Sequence, residues 1–95
     1  MKYKLTDETI KHNGKTLYRI QALKDFSNVK AGDLGGYVES MTNLSQYDNC
    51  WVADEAKVFD NARVFGNALV FENARVLGNA RVFDDAEIKN GTILG

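Results

Sequence analysis

From Ala56 onward, apolar and polar positions recur on a six-residue beat: AKVFDN, ARVFGN, ALVFEN, ARVLGN, ARVFDD and AEIKNG, then a partial unit, TILG. Each unit opens with Ala (Thr92 in the last) and places an aliphatic residue two positions later, at Val58, Val64, Val70, Val76, Val82, Ile88 and Leu94. Two positions apart in an extended segment, these side chains point to the same side. The closing positions are Asp-Asn, Gly-Asn, Glu-Asn, Gly-Asn, Asp-Asp and Asn-Gly, and most of these residue types tolerate the left-handed backbone that a sharp corner requires. A short strand and a corner repeated at fixed spacing make a solenoid, in which each unit buries its apolar side only against its neighbours. The period of six, read as unbroken from Ala56 to Thr92, predicts an all-β left-handed parallel β-helix with three hexads, or 18 residues, per coil.

The register extends backwards. Cys50 and Val52 take the Ala and Val places of the preceding hexad, and Leu44 and Gln46 those of the one before, although Gln46 suits a core poorly. The repeats therefore span 44–95, about three coils. Residues 1–43 read as a cap. Two β-rich runs in TIKHNGKTLYRIQAL flank Asn13-Gly14, a strong short hairpin signal. Residues 24–43 are turn-rich, with Gly32, Gly35 and Gly36 breaking any helix. The chain stops partway through a coil, so its C-terminal end is expected to pair with another copy or a partner, with Ile93 and Leu94 as the end contacts.

Stacking by 18 sorts the outward residues into three faces. One carries Trp51, Leu69 and Glu87 beside Ala53, Phe71 and Lys89. The second carries Lys57 and Arg75 beside Phe59 and Leu77. The third carries Arg63 and Arg81 beside Phe65 and Phe83. Contiguous outward apolar residues mark interfaces, and aromatic anchors dominate interface energetics. The Trp51, Leu69 and Phe71 face, which lacks a basic row, is expected to be the main contact surface, with Phe59, Phe65 and Phe83 as further interface residues. The corners stack as well. Asp54, Glu55 and Glu72 share one edge and Asp48, Asn49, Asn67, Asp84 and Asp85 another, as turn chemistry or as an acidic ridge.

Composition narrows the function. Ninety-five residues make one modest domain with a formal charge of −1, which excludes a strongly basic nucleic-acid binder. The arginine and phenylalanine faces could hold a single strand, but few basic residues lie there and acidic corners flank them, so nucleic acid is disfavoured. Cys50 is the single cysteine and fits a reducing cytoplasm; it reads as a small buried hydrophobe rather than a nucleophile. No apolar run approaches the roughly 20 residues of a membrane span, and the expected location is cytoplasmic.

Hexapeptide-repeat β-helices are familiar as acyltransferases, which resemble this chain in the repeat alone. Those enzymes use a histidine as general base. Here the single histidine, His12, lies beside the hairpin turn, outside the coils, and is expected to be solvated. No metal-ligand cluster, cofactor motif or nucleophile-base set is present, so an enzyme is not expected.

The N-terminal run IQALKDFSNVKAGDLGGYVES (20–40), followed by NLSQYDNCWV (43–52) and the hexads, resembles hexapeptide-repeat proteins of bacteriophages and prophages that share such a leader. A longer bacterial relative, described as a transferase-like β-helix protein, has the same pattern. The resemblance covers the chain, most specifically at Asp25-Phe26, Val29-Lys30-Ala31-Gly32, Gly35-Gly36-Tyr37, Leu44-Ser45-Gln46 and Cys50-Trp51. It implies a left-handed β-helix and a mobile-element origin, and carries over no catalytic residue. A small non-catalytic phage protein with outward aromatics is expected to self-associate and to block a host protein, as anti-CRISPR and other counter-defence inhibitors do. The alternatives are a polymer-forming scaffold and a reduced acyltransferase-like enzyme.

Overall fold

The computed structural model describes residues 1–95. Eleven strands follow one another: β1 (Tyr3–His12), β2 (Lys15–Ala22), β3 (Leu34–Val38), β4 (Trp51–Val52), β5 (Lys57–Val58), β6 (Arg63–Val64), β7 (Leu69–Phe71), β8 (Arg75–Leu77), β9 (Arg81–Val82), β10 (Glu87–Lys89) and β11 (Thr92–Leu94). A single 3-10 turn, Met41–Asn43, interrupts them, and there is no α-helix. The strands form a parallel β-solenoid of about three coils with an N-terminal hairpin. One sheet runs β1-β2-β3-β5-β8-β11, a second β10-β7-β4, and a third β6-β9, with Leu44 bridging to Val64 above it.

The corners explain why a six-residue unit closes. Asp48, Asp54, Asp60, Gly66, Glu72, Gly78, Asp84 and Asn90 all have φ between 56° and 67°, one in every sixth place. Each left-handed residue turns the chain onto the next face. Asp is tolerated there because its short side chain bonds local backbone, and here that bond reaches the next coil. Asp60 Oδ2 accepts from Gly78 N at 3.0 Å, and Asp54 Oδ2 accepts from Glu72 N at 2.9 Å. Glu72 lacks that short reach; its backbone N–H is held by Asp54 above, and its carboxylate accepts from Asn90 Nδ2 below at 2.9 Å.

Inside the tube, Val38, Val52, Val58, Val64, Val70, Val76 and Val82 stack with Ala56, Ala62, Ala68, Ala74 and Ala80, all at most 5% exposed. Each buried valine is worth about 1.5–3 kcal/mol over an exposed one. The alanines bring the corners close enough for coil-to-coil hydrogen bonds, such as Lys57 N to Ala74 O and Phe59 N to Val76 O.

The register departs from strict six at both ends. The coils begin at Tyr37-Val38, which pair in parallel with Lys57-Val58. Leu44, not Gln46, takes the inward place opposite Val64. The two extra residues form a bulge between Leu44 and Cys50 that leaves Gln46 outside the tube. There its amide accepts from the N–H groups of Lys2 and Tyr3 and donates to Tyr3 O, acting as a substitute strand edge for the chain's first residues. At the other end the unbroken period does not hold. Thr92, Ile93 and Leu94 pair with Arg75, Val76 and Leu77, a spacing of 17. The corner at Lys89-Asn90 is one residue shorter, Gly91 takes the Ala place, and Ile93 rather than Leu94 points inward.

The cap is more intimate than a lid. Hairpin β1–β2 extends the first sheet, and β2 pairs with β3. Gly35 and Gly36 carry β3 tightly past the first coil: a Cβ on Gly36 would lie 2.6 Å from Ala56 O, and one on Gly35 2.5 Å from Val52 O. Lys2 is buried over the first coil, its Nζ donating to Cys50 O at 2.7 Å and lying 3.3 Å from Cys50 Sγ. Burial of the ammonium lowers the Lys2 pKa, opposed by the Cys50 and Asp48 charges.

Trp51, expected at a protein interface, is only 4% exposed. Its ring points outward from the tube as the register requires, but Phe26 and Tyr3 pack edge-on against it at 5.2 and 6.2 Å. It belongs to the core of cap and coil together. Replacing Trp51 by Ala is expected to cost about 3–5 kcal/mol, the range for a large buried aromatic, whereas Phe71→Ala on the half-buried lower part of that face costs less than half as much. Urea denaturation of the two variants distinguishes them by their midpoints.

Candidate binding faces

The three faces of the solenoid differ in what covers them. On the Lys57 face the hairpin tip lies over the apolar row. Phe59 is 1% exposed, packed with Leu17, Tyr37, Ile10 and Leu77, and His12 meets its ring edge-on at 5.3 Å. Phe59 is therefore, like Trp51, an internal contact rather than an available interface residue. His12 is half-buried, not solvated. Burial, with the nearby Lys57 and Arg75 charges, pushes its pKa below the ordinary imidazole value.

Charge fastens the cap to the coils at two points. Arg19 donates from Nε to Glu8 at 2.8 Å and from Nη2 to Glu55 at 3.1 Å, with its guanidinium 4.4 Å from the Tyr37 ring. Lys15 reaches Asp60 at 3.1 Å and Glu39 at 3.5 Å. The Gly78 N–H and Lys15 together hold the Asp60 carboxyl below its usual range.

The residues expected to make an acidic corner thus divide among several tasks. Glu55 is engaged by Arg19. Asp54 and Glu72 form the ladder that continues to Asn90, with Lys89 3.9 Å from Glu72. Asp84 and Asp85 stay exposed beside Phe83.

The Arg63 face is left open. Arg63 and Arg81 are direct strand partners, both exposed, and neither takes part in an ion pair, unlike Arg19, Lys15 and Lys89. Beside them Phe65 and Phe83 stack at 5.3 Å with planes 10° apart. Phe65 is half-buried and Phe83 is 46% exposed. A groove of about 580 Å³ lies beside Phe65, walled by Met41, Leu44, Phe65, Arg63 and Arg81 and by Tyr47, which stands 80% exposed at the tip of the bulge. Leu69 and Phe71, on the Trp51 face, are half-buried. Ile93 and Leu94, on β11, are 36% and 72% exposed.

Sequence reasoning passed over Tyr47 and Lys2. Gln46 at the place of a core valine was the one sign that the register fails there, and Tyr47 is its neighbour. Nothing in the pattern marked Lys2.

Cys50 is fully buried, and desolvation raises its thiol pKa, which suits a packing residue. No group of three or more His, Cys, Asp or Glu side chains is placed to hold a metal ion. No helix is long and apolar enough to cross a membrane.

No family model matches the chain. Over 39 residues it is 44% identical to the uncharacterized acetyltransferase YdcK of Escherichia coli (strain K12). The match takes in 41% of this chain but only 12% of that protein, so the chain spans a small part of its relative's length. A hexapeptide-repeat solenoid accords with both the similarity and the fold.

Because the folded state disfavours the His12 imidazolium, stability is expected to fall as pH drops through the unfolded histidine's value of about 6.5. An NMR titration should place the His12 midpoint below that value, and Lys57→Ala should move it upward.

Proposed function

We propose that this chain is a non-enzymatic binding module that associates with itself through its uncovered apolar residues and takes a second protein on the Arg63 face. The observation that carries the reading is the division of surfaces. The cap buries Trp51 and Phe59, while Phe83, Tyr47, Ile93 and Leu94 stay uncovered. Uncovered apolar side chains that lie together mark interfaces.

An origin in a phage or prophage, with a host defence protein as the second partner, is the setting we propose for this module. It rests on the leader resemblance and on the small size. A pure scaffold would instead form filaments and take no foreign partner.

The acetyltransferase named by the partial relative favours one competing reading, a reduced acyl-transfer enzyme. Against it, the sole histidine is packed on Phe59 rather than placed in a groove. Titration of acetyl-coenzyme A into the protein decides this reading, and heat of binding would revive it.

Self-association is tested by native mass measurement across concentration. Ile93→Glu with Leu94→Glu is expected to shift the oligomer to monomer, weakening association by at least about tenfold, with an unchanged circular dichroism spectrum. An assembly that survives both changes places the contact elsewhere.

A further inference from the structure

Resting on the protein-binding reading, we infer that the Arg63 face holds a short extended peptide segment in which acidic and apolar residues alternate. The rows of this face are laid out for that pattern. Arg63 and Arg81 lie one above the other on hydrogen-bonded strands, and Phe65 and Phe83 lie one above the other two positions further along. Rows two residues apart are separated by about 6.6 Å, and the three coils give the face a height of about 14 Å, the length of four or five extended residues. A segment lying along the solenoid axis between the rows sends successive side chains to opposite sides, one set to the guanidinium groups and the other to the rings, and its upper end enters the groove that Arg63, Arg81, Phe65 and Tyr47 line together.

Charge assigns the sides. Beyond the arginine row stand Asn61 and Asn79, which with Thr42 line a shallow polar hollow beside Arg63 and Arg81, and the carboxylates behind them, Asp60 and Glu39, are both engaged by Lys15. Beyond the phenylalanine row stand the exposed Asp84 and Asp85. Carboxylates are therefore welcome on the first side and repelled on the second. The two arginines are like charges placed directly opposite, an arrangement that is unfavourable until an anion sits between them, and a planar guanidinium binds carboxylate in bidentate fashion. Lys57 above Arg75 repeats the like-charge pair on the neighbouring face, but there the hairpin covers the apolar row.

A nucleic-acid strand fits less well. The Phe65 and Phe83 rings turn faces toward each other, leaving little of the aromatic surface on which bases stack. A strand's phosphates would also pass Asp84 and Asp85 whenever its bases did not.

The test is titration of a short blocked peptide of alternating glutamate and leucine into the full chain, followed by amide shifts in NMR spectra. Binding is expected to shift Arg63, Arg81 and Phe83, to weaken with added salt, and to fall about tenfold for each of Arg63→Ala and Arg81→Ala, one charge-assisted contact apiece. The double charge reversal R63E/R81E should lose that peptide and acquire one of alternating lysine and leucine, which also shows that the variant is folded. Failure of the glutamate peptide to bind, equal binding of the lysine peptide by the unmodified protein, or tighter binding of oligothymidylate would overturn the inference. Self-association by the unmodified chain without peptide binding removes only this inference, and peptide binding by the Ile93→Glu, Leu94→Glu monomer shows that the Arg63 face acts independently of self-association.

Discussion

The fold depends on one backbone event repeated every six residues: a single residue entering the left-handed region and sending the chain onto the next face. Everything else follows from its regularity. Because the turn recurs at Asp48, Asp54, Asp60, Gly66 and onward, the inward valines fall above one another and the strands of successive coils meet in parallel. The cost of placing Asp or Glu in that region, of the order of 1 kcal/mol or more at each non-glycine corner, is offset at Asp54 and Asp60 by hydrogen bonds that their carboxylates accept from backbone N–H groups of the coil below. Local strain and long-range cohesion are therefore located in the same residues.

The second dependence is between cap and coil. The first coil is incomplete as a repeat: its corner is stretched by the bulge at Gln46 and Tyr47, and its upper edge would be bare. Lys2, Tyr3 and Gln46 fill that gap with hydrogen bonds that a further coil would otherwise supply. Arg19 and Lys15 then tie the hairpin to Glu55 and Asp60 at two corners of the coils. These partly exposed pairs contribute little each; burial of Trp51, Phe59 and Leu17 does most of the holding.

The solenoid was legible because its signal is repetitive. The Ala and Val places, the corner positions and the three outward faces could all be read from period six, and the Asn13-Gly14 hairpin from its turn. What escaped was whatever breaks the period. The insertion after Leu44 and the deletion near Asn90 leave no mark on composition, since the residues there resemble those of any hexad. Coverage by the cap was equally hidden: an outward Trp51 looks the same in sequence whether solvent, a partner or Phe26 lies over it. The face chosen as the main contact surface was thus the one the cap occupies at its top. Of the two faces with a basic row, the Arg63 face remained free, and its arginines were discounted because the sequence did not show that they lack acidic partners.

The Lys2 plug has a consequence for the order in which the molecule assembles. Its acceptors belong to Tyr47, Asp48 and Cys50, more than forty residues downstream. During synthesis the first strand therefore emerges long before the residues that will hold it. The hairpin can pair with itself before then, but Lys2 can dock only after the first coil has been made, so this contact tells a coil that is complete from one that is not.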